Sequence, residues 1–388
     1  MSLGQPVSPG SAGALRVANQ RRVLAELRDR SGESVSQADL VRRTGLASGT
    51  VSTIVRDLAA AGIVATVAGS GRRGTAVRLA PGAGLVGGID FGHRHVAVAV
   101  GDMAGTILAE ERRSLETTHS AAAGLGLARD LLTDLLKRVD ASDANVRNIG
   151  LGLPAPMSDN IVMSSAILPG WVGVNAQEAA AEALGTPVLI ENDANLGALA
   201  EFRYGHGRGH RNIVFVKVSS GVGAGLILDG ELFRGGDGSA GEIGHVTLDE
   251  RGPICRCGSR GCLEAYASTG TAVAMMTGHL ENADLDSVIA AARGGNVAAQ
   301  RVFEDAGLHL GWGLAALVNL LAPDVVIVGG DMARAGDMLL EPAIAGLRRH
   351  VLADSTATPV IVAALAERAS LIGALTLAID ATDLTLSA

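Results

Sequence analysis

Aromatic side chains are scarce in this sequence, with five Phe, two Trp and two Tyr among 388 residues. Stacking on bases or sugar rings therefore cannot be its main mode of recognition, and a ligand must be held mostly by hydrogen bonds. Cysteine is also rare, and all three cysteines lie between Cys255 and Cys262. This odd, clustered set excludes a framework of disulfides and favours metal or redox chemistry.

Long hydrophobic runs are absent as well. The longest, residues 310–323, is shorter than the eighteen or so residues that span a bilayer and predicts a buried helix. Residues 1–14 are rich in Gly, Pro and Ser, lack the apolar core of a signal peptide, and are expected to be flexible. We therefore expect a cytoplasmic protein without a membrane partner.

The charge is unevenly distributed along the chain. Residues 1–80 contain eleven arginines, no lysine and five acidic residues, a net charge of +6, whereas the whole chain carries −8. A basic segment attached to an acidic body indicates that only the first contacts a polyanion. The length favours two to three domains, and 48% hydrophobic residues with 52 glycines exclude disorder for most of the chain.

Residues 15–80 predict a winged helix-turn-helix domain that binds DNA. A short helix capped by Ser36, a turn at Gly45 and a third helix near residues 48–61 precede two apolar strands, which flank the Gly-rich turn 69–74. The alternative is a helical protein-interaction domain with an Arg-rich loop. In the DNA-binding interpretation, the third helix lies in the major groove and the wing arginines contact phosphates. The candidate DNA contacts are Ser48, Thr50, Ser52, Thr53, Arg56, Arg72 and Arg73.

After residues 81–84, apolar β segments alternate with Ala-rich helices, which is typical of an α/β fold. Two segments, 87–110 and 213–235, share the pattern of a three-stranded meander with a Gly-containing first turn. This predicts a duplicated body with lobes at 85–200 and 201–388, whose C-terminal helix can return to the first lobe. A ligand is expected in the cleft between them. Chance similarity of two meanders is the alternative.

The cysteines suggest a structural zinc site. His245 with Cys255, Cys257 and Cys262 supplies the four N and S ligands of a closed tetrahedral site. The alternative is a set of buried free thiols beside a surface histidine. A metal-bound imidazole keeps its second nitrogen for a ligand hydroxyl, and Glu242 and Glu264 lie close to these ligands in sequence.

The chain resembles the ROK family of repressors and sugar kinases, which have an actin-like fold of the ribonuclease H type. The resemblance covers nearly the whole chain. The matching segments are the winged helix, residues 88–92 (GIDFG), 168–171 (LPGW), 191–195 (ENDAN), 219–223 (SSGVG), 242–245 (EIGH), the cysteine cluster with Glu264, and 326–330 (VIVGG).

This resemblance implies roles for individual residues. In family kinases the aspartate that matches Asp193 is the general base that takes the proton of the attacking sugar hydroxyl. The implied sugar contacts are Asn192, Asp193, Glu242, His245 and Glu264. Asn192 and Asp193 have an alternative role as caps of a helix that begins at Ala194.

The nucleotide side departs from the kinase pattern. The residues after Gly92 are His93, Arg94 and His95 instead of a glycine and a threonine, and Ser219 replaces a glycine of the second loop. Ile167 stands where the family has an asparagine before Leu-Pro. Because phosphoryl transfer depends on positioning, ATP and Mg²⁺ are not expected as cofactors.

Together these features predict a transcriptional regulator, most simply a repressor, that binds operator DNA as a homodimer or dimer of dimers. A sugar or sugar phosphate in the cleft is the expected effector, and Trp171 is the only ring expected near it. The alternative is an ATP-dependent sugar kinase that uses Asp193 as its base.

Overall fold

The computed structural model describes residues 12–28, 33–67, 75–163, 167–353 and 357–386. Arg72 and Arg73, the expected wing contacts, lie outside the described residues. In these ranges every helix is too short or too polar to cross a bilayer.

The N-terminal domain is a winged helix. The Ser36 side chain accepts a hydrogen bond from the backbone N–H of Asp39 and so caps α2, and Gly45 ends that helix with a φ of 69°, which favours glycine. The short strand β1, which has no sequence pattern, pairs with β3 and completes a sheet of order β1-β3-β2. The elements are α1 (Ala12–Arg28), β1 (Val35–Ser36), α2 (Gln37–Thr44), α3 (Ser48–Ala60), β2 (Val64–Val67) and β3 (Ala76–Leu79).

The first lobe contains a five-stranded sheet of order β10-β7-β4-β5-β6, in which β4, β5 and β6 form an antiparallel meander. Its elements are β4 (Leu85–Phe91), β5 (His95–Asp102), β6 (Ile107–Ser114), α4 (Ala121–Arg138), β7 (Val146–Leu153), β8 (Met157–Ser158), β9 (Ile161–Val162), α5 (Ala176–Leu184), β10 (Val188–Asn192) and α6 (Asp193–Tyr204).

The second lobe repeats this plan with the strand order β13-β12-β11-β14-β15, so the two meanders occupy equivalent places in two equivalent sheets. Its elements are β11 (Ile213–Val218), β12 (Val222–Leu228), β13 (Glu231–Phe233), α7 (Glu264–Ala267), α8 (Thr269–Met275), α9 (Leu285–Arg293), α10 (Val297–Leu321), β14 (Val325–Gly329), α11 (Asp337–His350), β15 (Val360–Val362) and α12 (Ala369–Ala381).

Helices α6 and α12 lie between the two sheets. α12 packs on β4 and β7 of the first lobe, α6 packs on β11 and β12 of the second, and the two helices pack on each other. α12 also joins the body to the winged helix, because Leu371, Leu375 and Ile379 share one apolar core with Leu24 and Leu27 of α1. The last helix of the chain therefore contacts both the cleft region and the DNA-binding domain.

Candidate functional site

The cleft between the lobes holds two adjoining cavities of about 290 Å³ and 250 Å³. The first is lined by all five candidate sugar contacts, Asn192, Asp193, Glu242, His245 and Glu264. The second is lined by the segment around Gly92 and by Gly330 and Asp331. Both cavities share a short set of lining residues, which are Pro154, Asp193, Lys217, Ser219 and Ser220.

Asn192 and Asp193 lie at the N-terminus of α6, and they differ in what they do there. The side-chain oxygen of Asn192 accepts hydrogen bonds from the N–H groups of Ala194 and Asn195, so Asn192 is the helix cap. Asn192 also lines the first cavity. Asp193 is the first residue of the helix, and its carboxylate accepts a hydrogen bond from a side chain of the other lobe, Lys217.

Lys217 of β11 binds Asp193 and the C-terminal helix at once. Its Nζ donates to Asp193 Oδ2 over 2.7 Å and to Ser370 Oγ over 2.9 Å, and Ser370 Oγ donates to the carbonyl oxygen of Asp193 over 2.9 Å. Burial disfavours the charged form of Lys217, but the carboxylates of Asp193 and Asp90 outweigh it and hold the pKa of Lys217 well above its usual value. Burial raises the pKa of Asp193 and Lys217 opposes this shift.

Glu264 is held in place by donors to both of its carboxylate oxygens. Its Oε2 accepts the backbone N–H of Val222 over 3.1 Å, and its Oε1 accepts Arg256 Nε over 2.7 Å. Arg256 also donates to the carbonyl oxygen of Ser220. Burial raises the pKa of Glu242, which faces the same cavity. Fixed carboxylates of this kind accept hydrogen bonds from hydroxyl groups with little further ordering.

Two side chains at positions that depart from the kinase pattern, those of His95 and Ser219, line the second cavity and contact polar groups there. His95 Nε2 lies 3.5 Å from Asp90 Oδ2, and a Cβ at Gly92 would lie 2.1 Å from the His95 ring. Ser219 Oγ accepts the backbone N–H of Asp331 over 3.0 Å, which engages one backbone donor of the segment that follows β14. Both features follow from the departures noted in the sequence.

Four candidate metal ligands converge beside the first cavity. The ligand atoms of His245, Cys255, Cys257 and Cys262 all lie within 4.8 Å of one another, so this cluster could hold a metal ion. His245 Nδ1 faces the cluster, 3.8 Å from Cys255 Sγ, and the residue also lines the cavity. Burial raises the pKa of Cys262 to about 12.

The outer face of α3 carries the candidate DNA contacts that are described. Ser48, Ser52, Thr53 and Arg56 are exposed and Thr50 is half-buried, whereas the opposite face forms the domain core. Ser52 Oγ donates to the side chain of Gln37 on α2 over 2.9 Å. This contact adds an amide group to the surface that the sequence did not single out.

Trp171 is not a ligand residue, contrary to the expectation from the sequence. It is fully buried in the first lobe, where its ring packs edge-on against Phe91 and its Nε1 donates to His119. Conversely, Lys217 and Arg256 line the first cavity and were not predicted. The sequence did contain a signal for Lys217. It is the single charged residue in the otherwise apolar strand Ile213–Val218, directly before the Gly-rich loop.

Comparison with known proteins accounts for both parts of the chain. Residues 86–381 match the ROK family, and residues 17–74 match the MarR family. The chain belongs to the ROK family. The xylose repressor of Bacillus spizizenii is 29% identical to this ROK protein over 326 residues, which is 83% of this chain and 84% of the relative.

Two solved structures share the fold of this chain. A ROK family glucokinase from Streptomyces griseus, in complex with glucose and AMPPNP, is 28% identical and covers 76% of this chain and 99% of its own, with a TM-score of 0.68. A ROK family transcriptional regulator, a homologue of the E. coli MLC protein, is 22% identical and covers 95% of this chain and 97% of its own, with a TM-score of 0.79. The second similarity includes the winged helix.

Proposed function

We propose that this ROK protein is a transcriptional repressor that binds operator DNA through α3 and releases it when a sugar enters the cleft. One observation carries the proposal: the winged helix shares an apolar core with α12, and the first turn of α12 contacts Asp193 and Lys217 in the cleft. The relative from Bacillus spizizenii, named a xylose repressor, supports the same function.

The first cavity suits a small polyhydroxylated ligand. Its carboxylates accept from hydroxyl groups, and the His245 ring nitrogen that faces away from the cluster adds a further hydrogen-bonding group. Closure of the lobes over the sugar would change the spacing of the two winged helices in a homodimer or dimer of dimers. Operator half-sites then no longer match, which is a shift between two populations.

We further propose that the cluster of one histidine and three cysteines holds zinc. A tetrahedral ion with Zn–S bonds of about 2.3 Å separates two sulfurs by about 3.8 Å, and Cys257 Sγ lies 3.7 Å from Cys262 Sγ. When bound, the ion supplies structural cross-linking of the loop that carries His245 and Glu264. Metal analysis of purified protein is expected to find about one zinc per chain, and a lower content that Cys262→Ser leaves unchanged would contradict the site.

A panel of sugars added to the protein bound to its operator fragment tests the regulatory function. A gel-shift or fluorescence titration is expected to show release by one sugar, and Asp193→Asn is expected to keep DNA binding but lose the response. Arg72→Ala with Arg73→Ala is expected to weaken binding to all DNA sequences and to flatten its salt dependence. Operator binding that no sugar changes would argue against the sensor.

The alternative function, an ATP-dependent sugar kinase, rests on Asp193 in the cleft and on the similarity to the Streptomyces griseus glucokinase. The departures at His95 and Ser219 speak against it, because both side chains line the second cavity, on the side that the family resemblance assigns to the nucleotide. A coupled ADP-release assay with the same sugars separates the two functions. Robust turnover that Asp193→Asn abolishes would establish the kinase.

A further inference from the structure

Lys217 lies where the two cavities meet, and the proposed function uses its contact with α12 but assigns it no contact with the ligand. It is one of only two lysines in the chain, the other being Lys137. Its neighbours across the sheet are Gly223 of β12 and Gly329 of β14, and neither has a side chain beside it. The side chain is 18% exposed and lines both cavities.

The ammonium group of Lys217 has a donor to spare. It carries three N–H bonds, and among the described residues it donates to two acceptors, Asp193 Oδ2 and Ser370 Oγ. The hydrogen bond from Lys217 engages only one of the two carboxylate oxygens of Asp193. A ligand hydroxyl at this point could therefore donate its hydrogen to Asp193 and accept a hydrogen bond from Lys217 with the same oxygen.

We propose that Lys217 is a specificity-determining residue that makes the cleft select a free sugar hydroxyl and reject the phosphate ester of the same sugar. The inference rests on the proposed sugar-sensing function and narrows its effector to an uncharged sugar. A free hydroxyl is both donor and acceptor and satisfies Asp193 and Lys217 together. An esterified oxygen has no hydrogen to give to Asp193.

The charges around Lys217 act in the same direction. The carboxylates of Asp193, Asp90 and Asp331 all attract its ammonium group, so a phosphate dianion at this point would meet more negative than positive charge. Of the other cations of the second cavity, Arg112 is paired with Glu367 over 3.0 Å and Arg94 is exposed at the rim. Neither is free and buried beside Lys217.

The same geometry bears on phosphoryl transfer. Attack on a nucleotide requires a lone pair of the hydroxyl oxygen, and a hydrogen bond from the ammonium group engages one of its two lone pairs and withdraws electron density from the oxygen. Lys217 thus holds the hydroxyl for recognition and lowers its nucleophilicity. Both the positioning of the hydroxyl and its lowered nucleophilicity suit a sensor, because a sensor releases its ligand without chemical change.

Isothermal titration of the full-length protein tests this selection. The probes are D-glucose, D-mannose and N-acetyl-D-glucosamine, each with its 6-phosphate, and D-xylose. We expect at least one free sugar to bind and its 6-phosphate to bind about tenfold more weakly or worse. Lys217→Met is expected to weaken the free sugar by about 10- to 100-fold, whereas Lys137→Met, at a residue exposed on α4, leaves it unchanged.

The outcomes separate the two proposals. An ester that binds as tightly as its parent sugar, or a Lys217→Met protein that binds the sugar like the unaltered protein, overturns the role of Lys217 and leaves the sensor intact. If no compound of the panel binds or changes operator affinity, the sugar sensor fails and the role of Lys217 fails with it.

A second measurement avoids any dependence on the stability of the variant. Selective ¹³C labelling of lysine gives two side-chain signals in the unaltered protein, and Lys137→Met assigns them. A saturating sugar is expected to shift the Lys217 signal and leave the Lys137 signal in place. A bound sugar that moves neither signal overturns the proposed contact.

Discussion

A pair of glycines beneath α12 provides a quantitative test of how tightly that helix is fixed. Gly88 of β4 and Gly150 of β7 are paired neighbours, and α12 packs directly on them. A Cβ at Gly150 would lie 2.0 Å from the carbonyl oxygen of Ala374 in α12, whereas ordinary contact begins near 3.4 Å. For Gly150→Ala the helix backbone or the sheet must therefore yield by about 1.4 Å.

The cost of this displacement is expected at the upper end of the overpacking range, about 3 kcal/mol, because the obstructing atom belongs to a helix backbone and cannot rotate away. At about 2–4 °C per kcal/mol, the melting temperature falls by about 6–12 °C. A shifted α12 would also displace Ser370 and the segment around Thr382. Gly150→Ala should therefore weaken the effect of sugar on operator binding as well.

Gly126→Ala is the matched control. Gly126 lies in α4, and a Cβ there meets nothing within 4 Å, so the same substitution is expected to stabilise the protein by about 0.5–1 kcal/mol through helix propensity. Thermal and urea unfolding followed by circular dichroism measure both variants. A Gly150→Ala protein as stable as the unaltered one would refute the close contact between α12 and the sheet.

Two further predictions concern the junction with the winged helix. Leu24→Ala removes a side chain that is 2% exposed in the shared core and is expected to cost about 2–5 kcal/mol, seen as faster proteolysis within residues 12–80 while the body stays resistant; equal protection of both parts would contradict it. Asp383 accepts from Arg21 and Thr385, and these bonds outweigh its partial burial and lower its pKa to about 2. Asp383→Asn should lower the free energy of unfolding by less than about 1 kcal/mol at pH 7, since the side chains of Arg21 and Asp383 are both more than half exposed. The difference is fully present above the unfolded pKa of about 3.9 and vanishes as the pH falls through about 2; a difference that persists at pH 2 would exclude a charge effect.

Local sequence patterns predicted those elements whose folding signals lie within a short stretch of sequence. The recognition helix, expected near residues 48–61, spans Ser48–Ala60, because its apolar spacing and the turn at Gly45 act within a few residues. The two meanders could be predicted for the same reason, because each is encoded within one short segment of the sequence. The convergence of His245 with the cysteines required only that a Gly-rich loop fold back on itself.

Contacts between distant segments could not be predicted in this way. Trp171 was expected near the ligand because of its motif, but the packing of Phe91 and His119 draws it into the core. The position of Lys217 depends on two strands that pair with β11 from opposite sides, and on α12, which lies about 150 residues further along the chain. The spacing of residues in the sequence does not show which strands pair with β11, in which register they pair, or where α12 packs.

The same long-range contacts join the cleft to the winged helix through α12. Ser370 in the first turn of α12 binds Lys217, and just beyond its last turn Thr382 accepts from Arg28 and Asp383 from Arg21, both on α1. Between these ends the helix lies on glycines that leave no space for independent adjustment. In the proposed function, a ligand that binds the spare donor of Lys217 acts at the cleft end of this fixed helix, and we expect the effect to reach α1 through the contacts at the other end.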